Sequence, residues 1–280
     1  MMLRCNLYKK WLLLLSPSAY SQVATTAAAQ TGSPPGDTLT AQVAHWRNPK
    51  PAKKKAHVDH HQPALSSELL KGSTRDLSLL DITSFTLDPG GSSPAAMDEA
   101  DADALVIVKL GSLTVITPDT PKVLGPGGVA LFAAGDRLRL TNTSTSPAIC
   151  YLFLFQSRSP GNPGRARQAG PPLLIDWHEM VMKRTDKGES RSIFNRPLSS
   201  LGRIDMHATT LNPGTVSHPP HVHRTEEIIL LRSGNVREYI AGQYHTAAAG
   251  DLIFLPSGVP HAVENAGKTS CEYFALQWQQ

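Results

Sequence analysis

An internal repeat constrains the fold of this chain more than any other feature. Three glycines and an asparagine recur at a constant spacing of 123 residues, as Gly111 and Gly234, Gly127 and Gly250, Gly135 and Gly258, and Asn142 and Asn265. An apolar, strand-like run ends at the first glycine of each set, over residues 104–111 and 227–234. Self-similarity at a fixed period indicates duplication, and this period is longer than a solenoid repeat. The sequence therefore predicts two copies of one small β-domain in tandem.

The second copy carries three histidines and a glutamate that can converge on one metal ion. His221 and His223 are two residues apart, so both side chains face the same way in an extended strand. A straight strand would carry Glu227 about 13 Å away from them. The chain must therefore turn after His223 and return Glu227 on a neighbouring strand, while the turn-rich segment 256–260 brings in His261. Imidazole with carboxylate suits zinc, copper, iron, nickel or manganese, so we predict one divalent transition metal.

These residues fall into two blocks that resemble the paired motifs of the cupin superfamily. The first block follows the pattern G-x(5)-H-x-H-x(3)-E-x(6)-G, with six residues rather than five between Gly214 and His221. The second follows G-x(5)-P-x-G-x(2)-H-x(3)-N from Gly250 to Asn265. The resemblance implies an all-β fold of antiparallel jelly-roll barrels. Together with the repeat, it implies two such β-barrels in tandem, a bicupin.

The first copy lacks the metal ligands. The four ligand positions, moved back by 123 residues, fall on Asp98, Ala100, Ala104 and Leu138. Two alanines and a leucine cannot bind a metal. We therefore predict a degenerate N-terminal barrel over residues 58–160, a Pro/Gly linker over 161–172, and a metal-binding C-terminal barrel over 173–280.

The N-terminus has the layout of a signal peptide, assigned to residues 1–29. Arg4, Lys9 and Lys10 precede a leucine run and small residues, and cleavage after residue 21 or 29 fits this pattern. A disordered cytosolic tail is the alternative. Residues 30–57, rich in alanine, proline and lysine, are predicted to be a flexible linker. We expect a periplasmic or secreted protein with no membrane association after cleavage, since no other apolar run reaches the roughly 20 residues of a span.

The basic charge of the chain gives no argument for nucleic-acid binding. The formal net charge is +4, and three of the basic residues lie within residues 1–21, which leaves +1 after cleavage. The predicted partner is a small-molecule ligand or substrate, with no nucleic acid, and a homodimer is left open. Cys150 and Cys271 are too few for a disulfide scaffold. We expect two buried free thiols, with one disulfide between the barrels as the alternative.

Three further residues are candidates for the substrate pocket. His218 precedes the histidine pair by three residues, and the two prolines between them stiffen the approach to the barrel mouth. His207 lies in a predicted strand, and Gln277 lies at the end of the last strand. Glu226 is expected to be exposed, because it alternates with the inward-facing Glu227.

The resemblance implies a function class without choosing a reaction. Cupins include dioxygenases, decarboxylases, sugar isomerases and aminohydrolases, and a fold does not select among them. Two-barrel oxalate decarboxylases keep two metal sites, whereas this sequence keeps one. We predict an exported bicupin with one metal in its C-terminal barrel, a metal-dependent enzyme of dioxygenase, isomerase or hydrolase type that acts on a small polar molecule. The alternative is a non-catalytic small-ligand or carbohydrate-binding cupin. The catalytic residues are left unassigned.

Overall fold

A computed structural model describes residues 38–48, 50–51, 65–93, 102–117, 121–137 and 139–280, and these residues form one compact unit. The predicted leader 1–29, much of the predicted linker 30–57, and the projected ligand positions Asp98, Ala100 and Leu138 lie outside the described residues. Within the described part, no helix has the length and apolar character needed to cross a membrane.

Among the described residues, ten strands precede the helix at 163–169. They are β1 (Gln42–Ala44), β2 (Lys50–Pro51), β3 (Leu65–Gly72), β4 (Leu77–Leu87), β5 (Ala102–Leu110), β6 (Leu113–Ile116), β7 (Lys122–Leu124), β8 (Val129–Phe132), β9 (Arg139–Thr141) and β10 (Ala148–Ser157).

Ten more strands follow. They are β11 (Leu173–Ile175), β12 (Met182–Thr185), β13 (Gly188–Arg196), β14 (Arg203–Leu211), β15 (Glu226–Ser233), β16 (Asn235–Ile240), β17 (Gln243–Ala248), β18 (Leu252–Leu255), β19 (His261–Glu264) and β20 (Cys271–Gln279). A 3₁₀ turn, Trp177–Glu179, separates β11 from β12.

A short helix, α1 (Pro163–Ala169), lies in the predicted Pro/Gly linker 161–172. The side chain of Asn162 caps it, accepting a hydrogen bond from the Arg165 amide at 3.0 Å. Proline at the first helical position needs no N–H partner, which favours a helix start here. The cap and the proline therefore order part of a segment that composition alone assigned to a linker.

The two halves have the same strand order. In the first, a seven-stranded sheet (β11-β8-β5-β10-β4-β3-β2) accompanies a three-stranded sheet (β7-β6-β9). In the second, the sheets are β1-β18-β15-β20-β14-β13-β12 and β17-β16-β19. Neighbouring strands are antiparallel throughout both seven-stranded sheets. The prediction of an all-β, antiparallel fold in two similar barrels is confirmed.

The repeated residues hold equivalent turns in the two barrels. Asn142 donates to the carbonyls of Leu87 (2.9 Å) and Ser146 (2.8 Å), and Asn265 makes the matching bonds 123 residues later. Gly111 has a φ of +74°, and a Cβ there would lie 2.6 Å from the Pro147 carbonyl oxygen. Only glycine fits such a position without strain. These turns depend on the fold rather than on the metal, which explains why they persist in both halves.

In each barrel, one edge strand comes from the chain segment that precedes the other barrel. β1 pairs with β18 in the second barrel's sheet, and β11 pairs with β8 in the first barrel's sheet. Residues 42–44 were expected to belong to the flexible linker 30–57, and residues 173–175 to the C-terminal barrel. Both segments instead cover sheet edges whose N–H and C=O groups would otherwise lack partners. Val43 and Leu174 also pack against the cores of the barrels they join.

The largest apolar core lies between the two seven-stranded sheets, and each barrel has a smaller core of its own. On β20, Tyr273 and Ala275 point into the second barrel, whereas Leu276 and Trp278 belong to the core between the sheets. Side chains alternate across a strand, so a central strand buried on both faces is apolar throughout. Cys150 lies in the first barrel's core and Cys271 in the second's, and both are buried free thiols as predicted.

Glu226 is buried between the barrels, contrary to the prediction that it is exposed. Its side chain is 1% exposed. It accepts hydrogen bonds from the Thr74 hydroxyl (2.6 Å), from the amides of Arg75 (3.0 Å) and Asp76 (3.2 Å), and from the Trp278 indole (3.0 Å). Alternation correctly turns Glu226 away from the barrel interior. The face it turns towards is covered by the other barrel rather than by water.

Candidate metal centre

Three elements bring the predicted ligands together. His221 and His261 form an isolated antiparallel bridge, with N–H to O distances of 3.2 and 3.1 Å. His223 follows in the loop before β15, and Glu227 is the second residue of that strand. The turn that the spacing required lies between them, at residues 224–225. The fold therefore returns Glu227 towards the imidazoles on a neighbouring strand.

Backbone carbonyls fix the orientation of the imidazole rings. The Nδ1 atom of His223 lies 2.8 Å from the Thr225 carbonyl oxygen, and that of His261 lies 2.8 Å from the Val259 carbonyl oxygen. The Nδ1 atom of His221 lies 3.3 Å from the His261 carbonyl oxygen. A ring whose Nδ1–H donates to a carbonyl keeps a lone pair on Nε2, the arrangement usual for metal-binding histidines.

The remaining ring nitrogens and the carboxylate converge on one point. The ligand atoms that the three histidines offer lie within 4.8 Å of one another. The Glu227 Oε2 atom lies 3.0 Å from His223 Nε2 and 3.2 Å from His261 Nε2. Two ligand atoms, each about 2.1 Å from one ion and at right angles to each other, are about 3 Å apart. The donor set and its spacing therefore fit a divalent transition metal.

The electrostatics of the site favour a charged carboxylate among imidazoles. Glu227 is 5% exposed. Burial alone would raise its pKa, but His223 and His261, which donate Nε2–H to Glu227 when their rings are protonated on both nitrogens, outweigh burial and lower the pKa to about 2. The hydrogen bond to Glu227 raises the pKa of His223, whereas burial, followed by the charge of His261, lowers that of His221. Glu227 therefore provides a negative charge that a bound dication would neutralise.

A cavity of about 550 Å³ lies over the cluster. Polar side chains from the second barrel form much of its wall, including Thr185, Lys187, Ser190, Thr209, Ser217 and Tyr273. Such a cavity is large enough for a small-molecule ligand. It also leaves space beside the histidines for a ligand or water to approach a bound ion.

All three pocket candidates line this cavity. The ring of His218 lies 4.0 Å from that of His221, centroid to centroid, and burial lowers its pKa, with the charge of His221 second. The Nδ1 atom of His207 lies 3.8 Å from an Asp205 carboxylate oxygen. Gln277 accepts a weak hydrogen bond from the Thr225 hydroxyl at 3.4 Å. Lys187, at the tip of the β12–β13 hairpin, was not predicted to lie here, because nothing in its local sequence indicates that the hairpin reaches the mouth.

Sequence reasoning also missed a second carboxyl group inside the barrel. Glu238 is fully buried on β16, on the same face as Val236 and Ile240. Neither of its oxygens has a well-formed hydrogen bond among the described residues. Burial, followed by the charge of Glu227, raises its pKa to about 9, and the Ala262 amide offsets this only weakly. Glu238 is therefore a neutral acid at pH 7. The alternation in Val-Arg-Glu-Tyr-Ile was the sequence signal for it.

In the first barrel, the one projected ligand position that the structure describes is Ala104. It is 5% exposed within that barrel's apolar core. Across the described residues, one group of at least three potential metal-binding side chains comes together, and it lies in the second barrel.

Comparison with known proteins identifies the fold. Residues 207–276 match the family model for the cupin domain. No curated protein matches the sequence. Among solved structures, the putative glyoxylate induced protein of Pseudomonas aeruginosa is 15% identical, with a TM-score of 0.64 over 80% of this chain and 82% of that one. AerE from Microcystis aeruginosa is 15% identical, with a TM-score of 0.59 over 85% of this chain and 99% of that one.

A third structure is a metal enzyme. Bacillus subtilis oxalate decarboxylase, described with Mn(II) centres, is 14% identical, with a TM-score of 0.52 over 73% of this chain and 70% of that one. At these identities the likeness establishes the fold alone. Residues 207–276 match the cupin-domain model, and the chain as a whole shares the fold of these solved structures.

Proposed function

We propose that this two-barrel cupin binds one divalent transition metal in its second barrel, through His221, His223, Glu227 and His261, and uses it as an enzyme acting on a small polar molecule. One observation carries the proposal. Ring nitrogens of His223 and His261 lie 3.0 and 3.2 Å from one oxygen of Glu227, while their Nδ1 atoms are held by carbonyls. Manganese, iron, zinc, nickel and copper all suit such a donor set.

A bound ion would act as a Lewis acid towards a substrate oxygen or nitrogen, or activate water or dioxygen. The chain supplies the surroundings. Glu227 balances charge, and the three carbonyl contacts hold the imidazoles in place before the ion arrives. His207, His218 and Gln277 offer hydrogen bonds from the cavity wall. Reactions of dioxygenase, isomerase or hydrolase type all fit this arrangement, and the Mn(II) centres of the oxalate decarboxylase support manganese as one candidate.

The test is metal content, measured by mass spectrometry on the purified protein and on variants. We expect one ion per chain, and a loss of more than 100-fold in affinity for His221→Ala, His223→Ala or His261→Ala, since even outer-shell losses cost about 10–100-fold. His178→Ala is the matched control, because His178 is exposed and is not among the residues that line the cavity. Binding should weaken below about pH 6, where free histidines are protonated. Full metal content in all three ligand variants would refute the proposal.

Water exchange at the ion separates an enzyme from a non-catalytic binder. The cavity over the ligands supports open coordination positions. Water-proton relaxation of the manganese-loaded protein should therefore show exchangeable water. An ion with no exchangeable water would favour the non-catalytic role.

Export is part of the same proposal. It is supported by Arg4, Lys9 and Lys10 before a leucine run. Protein taken from its native host should begin near Gln22 or Gln30 on N-terminal sequencing. A cytosolic protein that retains Met1 would show that the segment is not a cleaved leader.

A further inference from the structure

We propose that the ligand of this site is amphipathic, with a polar, metal-binding head in the cavity and an apolar, preferably aromatic tail in an adjoining groove on the outer face of β16, β17 and β19. The inference rests on the proposed metal site and narrows the class of molecule that the site takes. The inference is argued from three features of the groove: the side chains that line it, its position beside the cavity, and its size.

The groove is lined mainly by apolar and aromatic side chains. It has a volume of about 380 Å³. Val216, Pro219, Pro220, Tyr239 and Tyr244 line it, together with Ala262, Lys187, His218 and Glu264. Tyr239 pairs across the sheet with Tyr244 and with Ala262, which places all three on the face opposite the barrel core. Single exposed apolar residues are ordinary on a protein surface, but five that converge on one concavity are typical of a binding site.

The aromatic floor of the groove is held in place. The Tyr239 and Tyr244 rings are 5.5 Å apart, edge to face. The Arg237 guanidinium lies 4.4 Å from the Tyr244 ring centroid, and it donates to both oxygens of Glu264 at 2.8 Å. A ring fixed by a stacked guanidinium loses little entropy when a ligand covers it, so the surface is preorganised for an apolar group.

The groove adjoins the metal cavity. Lys187 and His218 line both. The His218 ring, which lines the groove, lies 4.0 Å from the ring of the predicted ligand His221, centroid to centroid. Lys187 donates to the Ser217 carbonyl at 2.7 Å, which fixes the rim between the two spaces. A molecule held at the metal therefore needs only a short chain of atoms to pass His218 and reach Tyr239.

The small size of the groove indicates that its occupant is part of the same small molecule rather than a protein partner. A stable protein interface buries well over about 1,000 Å² of surface, whereas a groove of this volume suits a single ring or short alkyl chain. The two linings also differ in chemistry. Hydroxyl, amide and charged groups make up much of the cavity wall, whereas the groove is lined mainly by tyrosines, prolines and small apolar side chains, with Lys187, His218 and Glu264 at its edge.

The experiment compares two hydroxamates by calorimetry on the manganese-loaded full chain. Acetohydroxamate carries the metal-binding head alone, and 4-phenylbutyrohydroxamate adds a short chain and a ring. Burial of the ring should tighten binding on the order of tenfold or more. Tyr244→Ala and Tyr239→Ala should each remove most of this gain and leave acetohydroxamate affinity unchanged. Tyr244→Phe keeps the ring and should retain the gain, and so should Val123→Ala, a control at an exposed apolar residue of the first barrel.

Each outcome decides between the two proposals. If acetohydroxamate binds and the phenyl tail adds nothing, the groove inference fails while the metal site stands. If the gain survives both tyrosine-to-alanine changes, the tail lies elsewhere and the inference also fails. If neither hydroxamate binds the manganese-loaded protein, the ion offers no open position to a ligand. The proposed enzymatic role then fails and the inference fails with it, while metal binding itself stands.

Discussion

The two barrels can be compared directly at two adjacent residues of equivalent strands. β5 and β15 occupy the same place in their sheets, and Asp103-Ala104 in the first corresponds to Glu226-Glu227 in the second. The outward carboxylate is present in both barrels. The inward one is present only in the second, where it meets His223 and His261. Within one strand, therefore, one face has kept its acid in both copies and the other face has not.

The two outward carboxylates do the same structural work. Asp103 accepts hydrogen bonds from the amides of Ser199 (3.2 Å) and Ser200 (2.6 Å), in the loop before β14. Glu226 accepts from the amides of Arg75 and Asp76, in the equivalent loop before β4. Each barrel thus extends one acid into a loop of the other. An acid needed for docking the barrels is retained in both, whereas an acid needed for a metal is retained only beside imidazoles.

The largest expected effect comes from placing the missing acid in the first barrel. Ala104 lies directly across from Phe132 and Leu154 on its neighbouring strands. Ala104→Glu would bury a carboxyl with no imidazole beside it and should destabilise the protein by about 3–5 kcal/mol. Urea unfolding at pH 7 measures this. Ala104→Gln has a similar volume without the charge, so the difference between the two variants isolates ionisation. Equal costs for both would show that volume alone distinguishes the barrels at this position.

The second prediction concerns the shared outward acids. Glu226→Gln keeps the shape but places an amide N–H₂ group among donors, and should cost about 2–3 kcal/mol of unfolding free energy. Asp103→Asn should cost a similar amount, because the two acids hold equivalent loops. Asp103→Asn should also leave metal content unchanged, since it lies in the other barrel. A large loss for one acid and none for the other would contradict the equivalence of the two contacts.

Local spacing predicts part of this arrangement, and long-range packing decides the rest. The turn before Glu227 and the convergence of three histidines follow from strand geometry over a few residues. The burial of Glu226 does not, because alternation gives the direction of a side chain but not what covers it. The pairing of β1 with the second barrel and of β11 with the first also could not be predicted from the sequence. Each is a three-residue strand whose partner strand lies more than 40 residues away along the chain.

A second acid inside the second barrel, Glu238, gives an effect that depends on pH. Its pKa is raised to about 9, mainly by burial, so the folded state keeps its proton between about pH 4.5 and 9 while the unfolded state loses it. The contribution of Glu238 to the free energy of unfolding is fully present below about pH 4.5. It decreases as the pH rises to about 9, by at most about 1.4 kcal/mol per pH unit. Glu238→Gln should flatten this slope in the metal-free protein. An unchanged slope between pH 6 and 9 would mean that Glu238 is ionised when folded.

The smallest expected effect tests whether His218 belongs to the metal ligands of the second barrel. The His218 ring is closer to the His221 ring, at 4.0 Å between centroids, than the three ligand rings are to one another, at 4.7–5.2 Å. Its Nδ1 atom nevertheless faces the carbonyl of its neighbour Pro219, at 3.2 Å. The His218 ring lies 6.4 Å from the His261 ring, further than His221 or His223. His218→Ala should therefore keep full metal content, with affinity within about twofold of the unchanged protein, whereas His221→Ala should lose the ion. Titration of both variants with manganese measures the difference. If His218→Ala loses the metal while His221→Ala retains it, the ion is bound nearer the mouth of the cavity. His218 would then replace His221 among the ligands that distinguish the second barrel from the first.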